Sequence, residues 1–153
     1  MDSDYHEHHG SAAIAARVDQ IQAGIREHGF IVNCSYPENG GPIGVAYTVG
    51  RHLNGRPELV ASGPFDGPTF RQLLSDLVSL DDMSGIDPAI AQEVCLMDPQ
   101  LPQDLWNVLL LPVVMRDNDP LVWVRETYPD QNVRLLQALW RSDEDQYFME
   151  VSP

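Results

Sequence analysis

The chain alternates between two hydrophobic rhythms. Ile14, Val18, Ile21, Ile25 and His28 recur at steps of four and three, the repeat of one helical face. Ser11 is placed to cap that helix, and Gly29 supplies the left-handed residue that ends many helices. A period of two follows. Phe30, Val32, Cys34 and Tyr36 alternate with Ile31, Asn33 and Ser35, which predicts a strand. Pro37 to Pro42 reads as a turn, and a second strand is predicted over Ile43 to Gly50. Its two faces differ. Ile43, Val45, Tyr47 and Val49 are large, whereas Gly44, Ala46, Thr48 and Gly50 are small.

Asn54-Gly55 marks a tight turn before a third strand over Glu58 to Gly63, so three strands in quick succession predict an antiparallel meander. Asp66 and Pro68 open a second helix, with Phe70, Leu73, Leu74 and Leu77 on one face and an end near Leu80. Short strands are predicted over Glu93 to Met97 and Val108 to Met115. Pro112 demands an edge or a bulge in the latter. Asn118-Asp119-Pro120 is a helix start for the face Leu121, Val124 and Tyr128. Asn132 to Trp140 fits a helix by propensity and a strand by alternation. The acidic tail from Asp143 reads as loosely held.

Composition narrows the class. The chain has 153 residues, enough for one domain with its own core. Residues 1–10 read as a flexible leader and residues 11–153 as a single α+β domain, a mainly antiparallel sheet with two to three packed helices. Nine basic against 23 acidic side chains leave a net charge of −14, and every basic residue is Arg. Phosphate backbones repel such a chain, so nucleic acid is not an expected partner. No apolar run reaches membrane-spanning length, and the charged start does not resemble a secretory signal. Cys34 and Cys95 lie in no metal-ligand spacing and read as buried, reduced thiols of a cytoplasmic protein. His6, Glu7, His8 and His9 could meet a metal but sit on no scaffold, and Asp81, Asp82 and Asp87 lack EF-hand spacing. No metal or cofactor is expected.

Phosphate loops, nucleophile elbows and dinucleotide fingerprints are all missing. The candidate chemistry lies in His28, Tyr47, Thr48, Glu58 and Gln137. His28 is either a cation stabilised by the helix dipole or an acid–base group aimed into a cleft. Glu58 follows Pro57 at the head of an apolar strand. It reads either as a carboxyl raised by burial, and so a base, or as the partner of Arg51 or Arg56. The small-residue face of Ile43 to Gly50 forms a trough. Either the first helix packs into it, or it floors a pocket with Tyr47, Thr48 and Gly50 at its edge.

The segments Ile25-Arg26-Glu27-His28-Gly29-Phe30, Val45-Ala46-Tyr47-Thr48-Val49-Gly50 and Gly55-Arg56-Pro57-Glu58-Leu59-Val60, with Gly63, resemble the bacterial family called domain of unknown function 4262. The resemblance covers residues 14 to 63 and extends to Leu136-Gln137 with Trp140, which implies a strand over Val133 to Trp140. It maps motif polar residues onto His28, Tyr47, Thr48, Glu58 and Gln137 and implies a shared site of no assigned activity. The chain departs from the family after Trp140, with Arg141-Ser142-Asp143 and then Tyr147-Phe148-Met149. The expectation is a soluble binding or accessory module, open to dimerisation, whose small-molecule or peptide pocket lies over Ile43 to Gly50. Its rivals are a metal-independent enzyme using Glu58 or His28, and an acidic inhibitor of a basic protein.

Overall fold

The computed structural model describes residues 2–37, 40–115, 121–129, 131–140 and 150–151, with side chains from Ala12 to Trp140. The elements are α1 (Asp2–His28), β1 (Ile31–Ser35), β2 (Gly44–Val49), β3 (Glu58–Gly63), α2 (Gly67–Ser84), β4 (Gln92–Cys95), β5 (Asn107–Val114), α3 (Val122–Thr127), β6 (Leu135–Leu139) and β7 (Glu150–Val151). Single 3-10 turns lie at Arg51–Asn54 and Gln103–Leu105. The sheet order is β1-β2-β3-β6-β5-β4, with β7 joined to the far end of β5. Among the described residues only β3 and β6 pair in parallel. The fold is therefore α+β with a mainly antiparallel sheet.

Local sequence explains most boundaries. Asp66 accepts the Thr69 N–H at 2.8 Å, Pro68 occupies the first turn of α2, and Gly85 closes the helix at φ +71. Gly29, at φ +88, ends α1 as predicted. The start of α1 differs from expectation. The helix runs from Asp2, so Ser11 lies within it and residues 2–10 of the expected leader are helical backbone. Ala12 and Ala13, strong helix formers, carry the helix across the Gly10-Ser11 pair. The expected helix start at Asn118-Asp119-Pro120 and the tail from Arg141 to Met149 lie outside the described residues.

The ambiguous segment Asn132 to Trp140 supplies β6. Pro112 finds a local edge inside a paired strand. β4 pairs with β5 only as far as Leu110 and β7 begins at Val113, so the proline falls between them.

Strand alternation sorts the side chains into two cores. On one side α2 buries Phe70, Leu73, Leu74 and Leu77 against Ala46, Leu59, Ala61, Leu136 and Ala138. On the other, Ile21 of α1 and Leu121 and Val124 beside and within α3 meet Tyr47, Val49, Val60 and Leu135. The small-residue trough is thus covered by α2, whereas α1 takes the large-residue face. The approach is close: a methyl group on Gly44 would lie 2.5 Å from the Tyr36 ring and 3.1 Å from Phe70. The expected pocket over Ile43 to Gly50 is corrected accordingly. The protein's own aromatic rings fill that space.

Candidate functional site

Two sequence motifs and Tyr128 meet at the Glu58 carboxylate. Glu58 begins β3 and is 0% exposed. The 3-10 turn that follows β2 directs backbone N–H groups at it. Gly50 and His52 donate to Oε2 at 2.9 and 3.3 Å, and Arg51 donates to Oε1 at 3.2 Å. The Thr48 hydroxyl donates to Oε1 at 2.8 Å and accepts the Leu59 N–H at 2.9 Å. The Tyr128 hydroxyl donates to Oε2 at 3.0 Å. Gly50 makes this possible at φ +125, where a methyl group would lie 2.9 Å from both the Gly29 carbonyl oxygen and Phe30 Cα. The Thr48-Val49-Gly50 and Pro57-Glu58 segments thus share one clasp, and Gly29-Phe30 packs directly behind Gly50.

The electrostatics of the clasp follow from its dryness. Burial pushes the Glu58 pKa up, opposed by the hydrogen bonds from Thr48, Gly50, His52 and Tyr128. Burial, then the charge of Glu58, pushes the Tyr128 phenol up. His52 packs edge-on to the Tyr128 ring, with Nε2 2.7 Å from Gln131 Oε1. The expected ion pair between Glu58 and Arg51 or Arg56 does not form, and Arg51 offers Glu58 only its main chain. Both arginines instead grip Asp81 of α2. Arg56 does so through Nε at 2.8 Å and Nη2 at 2.5 Å, and Arg51 through Nη2. Burial alone would raise the Asp81 pKa, but Arg56, the Ile86 N–H and Arg51 outweigh it and hold the carboxyl low.

The other sequence candidates are dispersed. His28 lies on the exposed end of α1, 3.8 Å from Glu27, and does not reach Glu58. Tyr47 projects from the face opposite Thr48. Its hydroxyl accepts from Asn33 Nδ2 at 3.1 Å and the Trp123 N–H at 3.3 Å, and burial pushes its pKa up to about 12. Gln137 is 0% exposed, and among the described residues neither its amide oxygen nor its nitrogen has a partner. It stands in a row across the sheet, Asn33–Tyr47–Val60–Gln137–Leu111, all on the α1/α3 side. Sequence reasoning missed Tyr128, Asp81 and Asn33, because each acts through a partner 14 or more residues away.

One pleat further along the same face lies a second row, Glu93–Leu109–Leu139, on β4, β5 and β6. Here a concavity of about 440 Å³ opens. It is lined by these three residues with Asp104, Asn107 and Trp140, among others. Leu139 and Trp140 are buried, Leu109 is half-buried, and Glu93, Asp104 and Asn107 are exposed. The Trp140 indole N–H donates to the Leu105 carbonyl at 3.0 Å, and its ring packs edge-on to Phe65 on the α2 side of the sheet. Among the described residues no group of three or more His, Cys, Asp and Glu side chains is arranged to hold a metal. Asp81 is engaged by arginines, and Asp87 caps the Ala89 N–H. The side chains of the His6 to His9 cluster lie outside the described residues.

The fold and site define an α+β domain with a sealed carboxylate clasp and a separate acid-rimmed concavity. No family model, curated protein or solved structure matches the chain. No helix among the described residues is long and apolar enough to cross a membrane.

Proposed function

We propose that the chain is a binding or accessory module that takes a small molecule or peptide in the concavity over β4, β5 and β6. One observation carries this reading: an open hollow of about 440 Å³ in which leucine side chains and an indole lie beside two carboxylates. Ligand sites are typically mostly apolar clefts of about 300–1,000 Å³ with a few orienting polar groups. The net charge of −14 favours a cationic ligand and disfavours nucleic acid. An acid–base enzyme built on His28, Tyr47 and Glu58 has less support, since these groups share no open space and Glu58 is sealed by five donors.

Kinship with the domain of unknown function 4262 family is part of the proposal. It rests on the order of motifs that build the Glu58 clasp. A cytoplasmic location, where thiols stay reduced, goes with it, although Cys34 is only half-buried and Cys95 is exposed, against the expectation that both are buried.

The test is a thermal-shift screen of the full chain against amines, guanidinium compounds and dipeptides, because a ligand of the native state raises apparent stability by mass action. Leu109→Trp, which fills the concavity, should abolish the shift of a hit. A hit retained in that variant places the site elsewhere, and a panel with no hits overturns the reading.

A further inference from the structure

β4 ends the sheet on one side: among the described residues it pairs only with β5. The Leu96 N–H donates to the Trp106 carbonyl at 2.9 Å, one step beyond the same ladder. Bonding direction alternates along an antiparallel strand, so Val94 and Gln92 also bond toward β5. The N–H and C=O groups of Glu93 and Cys95 therefore point away from the sheet. An edge of this kind is a template for another strand. Neither residue is proline, and both are exposed.

The two faces beside this edge differ in chemistry. On the α2 side, Gln92, Val94 and Cys95 share a hollow of about 300 Å³ with Leu80, Ser84 and Ile86 at the end of the helix. Its apolar lining is Leu80, Ile86 and Val94, and Val94 is only half-buried. Met83, one helical turn from Leu80 and so its surface neighbour, is 85% exposed. On the opposite face, the exposed Glu93 belongs to the concavity over β4, β5 and β6. A strand laid about 4.8 Å beyond β4 alternates its side chains between these two faces. Its residue opposite Val94 falls on the α2 side with the apolar hollow, and its residue opposite Glu93 stands beside that carboxylate.

Resting on the binding reading above, we infer that the edge of β4 takes an extended peptide as an added strand, with an apolar side chain opposite Val94 and an arginine or lysine opposite Glu93. Main-chain hydrogen bonds to Glu93 and Cys95 supply affinity, and the alternate side chains supply selectivity. Opposite charges facing each other across a strand pair stabilise it, whereas like charges repel. The net charge of −14 acts in the same direction, drawing a basic peptide and opposing a second copy of the chain on this edge.

The experiment uses the full chain and the peptide acetyl-Thr-Arg-Val-Arg-Thr-amide in calorimetric titration, with three relatives of that peptide. One has glutamate in place of both arginines, one is N-methylated at both arginines, and one is N-methylated at the valine. With the valine opposite Val94, the arginine N–H groups face β4 and the valine N–H faces solvent. The parent peptide is expected to bind, and the glutamate and arginine-methylated peptides to bind at least tenfold more weakly. Methylation at the valine should change affinity less than threefold. Glu93→Arg should weaken the parent peptide at least tenfold. Cys95→Pro, which removes an outward N–H and spares the bonds to β5, should do the same. If the proline variant misfolds, Glu93→Arg and the two methylated peptides decide. Equal affinity of the methylated peptides overturns the inference, as does unchanged affinity in Glu93→Arg or failure of the parent peptide to bind. A dimer of the free chain that Cys95→Pro dissociates, seen by sedimentation, assigns the edge to a second copy and also overturns it. If amines or guanidinium compounds still give shifts abolished by Leu109→Trp, the binding reading stands without the added strand.

Discussion

Thr48 donates to the Glu58 carboxylate at 2.8 Å and, through the same oxygen, accepts the Leu59 N–H at 2.9 Å. One hydroxyl thus satisfies a buried main-chain donor on β3 and a buried carboxylate on the same strand. It ties β2 to β3 where their register ends, and with Tyr128 it links both strands to the end of α3. The assembly is a structural clasp, in which one carboxylate oxygen accepts from two donors and the other from three.

Thr48→Val keeps the shape and removes both bonds. It is expected to destabilise the chain by about 1–3 kcal/mol, the cost of leaving buried polar groups unpaired. Tyr128→Phe, which removes one donor of five, should cost less. Urea unfolding checks both, as a lowered midpoint with unchanged slope. A Tyr128→Phe effect exceeding that of Thr48→Val would contradict the clasp.

The two close-packed glycines should not respond equally. Gly50→Ala forces a side chain into φ +125 against the backbone of Gly29 and Phe30, and backbone cannot yield as a ring tip can. Gly44→Ala meets the Tyr36 ring, which is 44% exposed and has room to swing away, together with the fixed Phe70. Small-to-large strain costs about 1–3 kcal/mol. Gly44→Ala is expected within that range and Gly50→Ala above it, as judged by thermal unfolding.

Asp81 is the hub between α2 and the turn after β2. Replacing it with Ala leaves Arg51, itself buried, with only the exposed Asp82 carboxylate at 3.4 Å as counter-charge. Breaking one partner of a buried pair costs about 3–5 kcal/mol. The expected outcome is a loss of that order, with Arg56→Ala milder because its side chain is 30% exposed. A double-mutant cycle on Arg51 and Asp81 measures the coupling.

A second carboxylate relationship sets the pH profile. Gln72 Nε2 donates to Asp76 Oδ1 at 3.1 Å and to Asp98 Oδ2 at 2.7 Å, joining α2 to the loop after β4. Burial, then the proximity of Asp98, pushes the Asp76 pKa up from 3.8 to about 7, and the hydrogen bond from Asp76 holds Asp98 low. Between pH 3.8 and about 7 the folded pair keeps a proton that the unfolded chain has lost. This contribution is full below pH 3.8 and declines as pH rises toward 7. Asp81, held low, acts in the opposite sense, and its contribution fades as pH falls below 3.8. Melting temperature should therefore be higher at pH 5 than at pH 8. Asp76→Asn, whose amide donates to Asp98 at any pH, should flatten that difference by raising the value at pH 8.

The sequence alone determined the local architecture. Periods of 3.6 and 2 placed α2, β1, β2, β3 and β5, because amphipathic elements reveal their buried face through spacing. Gly29 and Asp66 marked helix ends through conformations and caps that are local by nature. The motifs containing Thr48, Gly50 and Glu58 were legible as a group, but their common purpose was not, since it depends on three segments meeting in space. Tertiary structure decided which helix covers which face: α2 took the small-residue trough because Phe70 and Tyr36 fit against Gly44, so the place expected for a guest is filled. It also decided that Arg51 and Arg56 belong to Asp81, and that Gln137 is buried in the row with Tyr47 and Val60. Each of these follows from packing between distant segments, for which no spacing along the chain carries a signal.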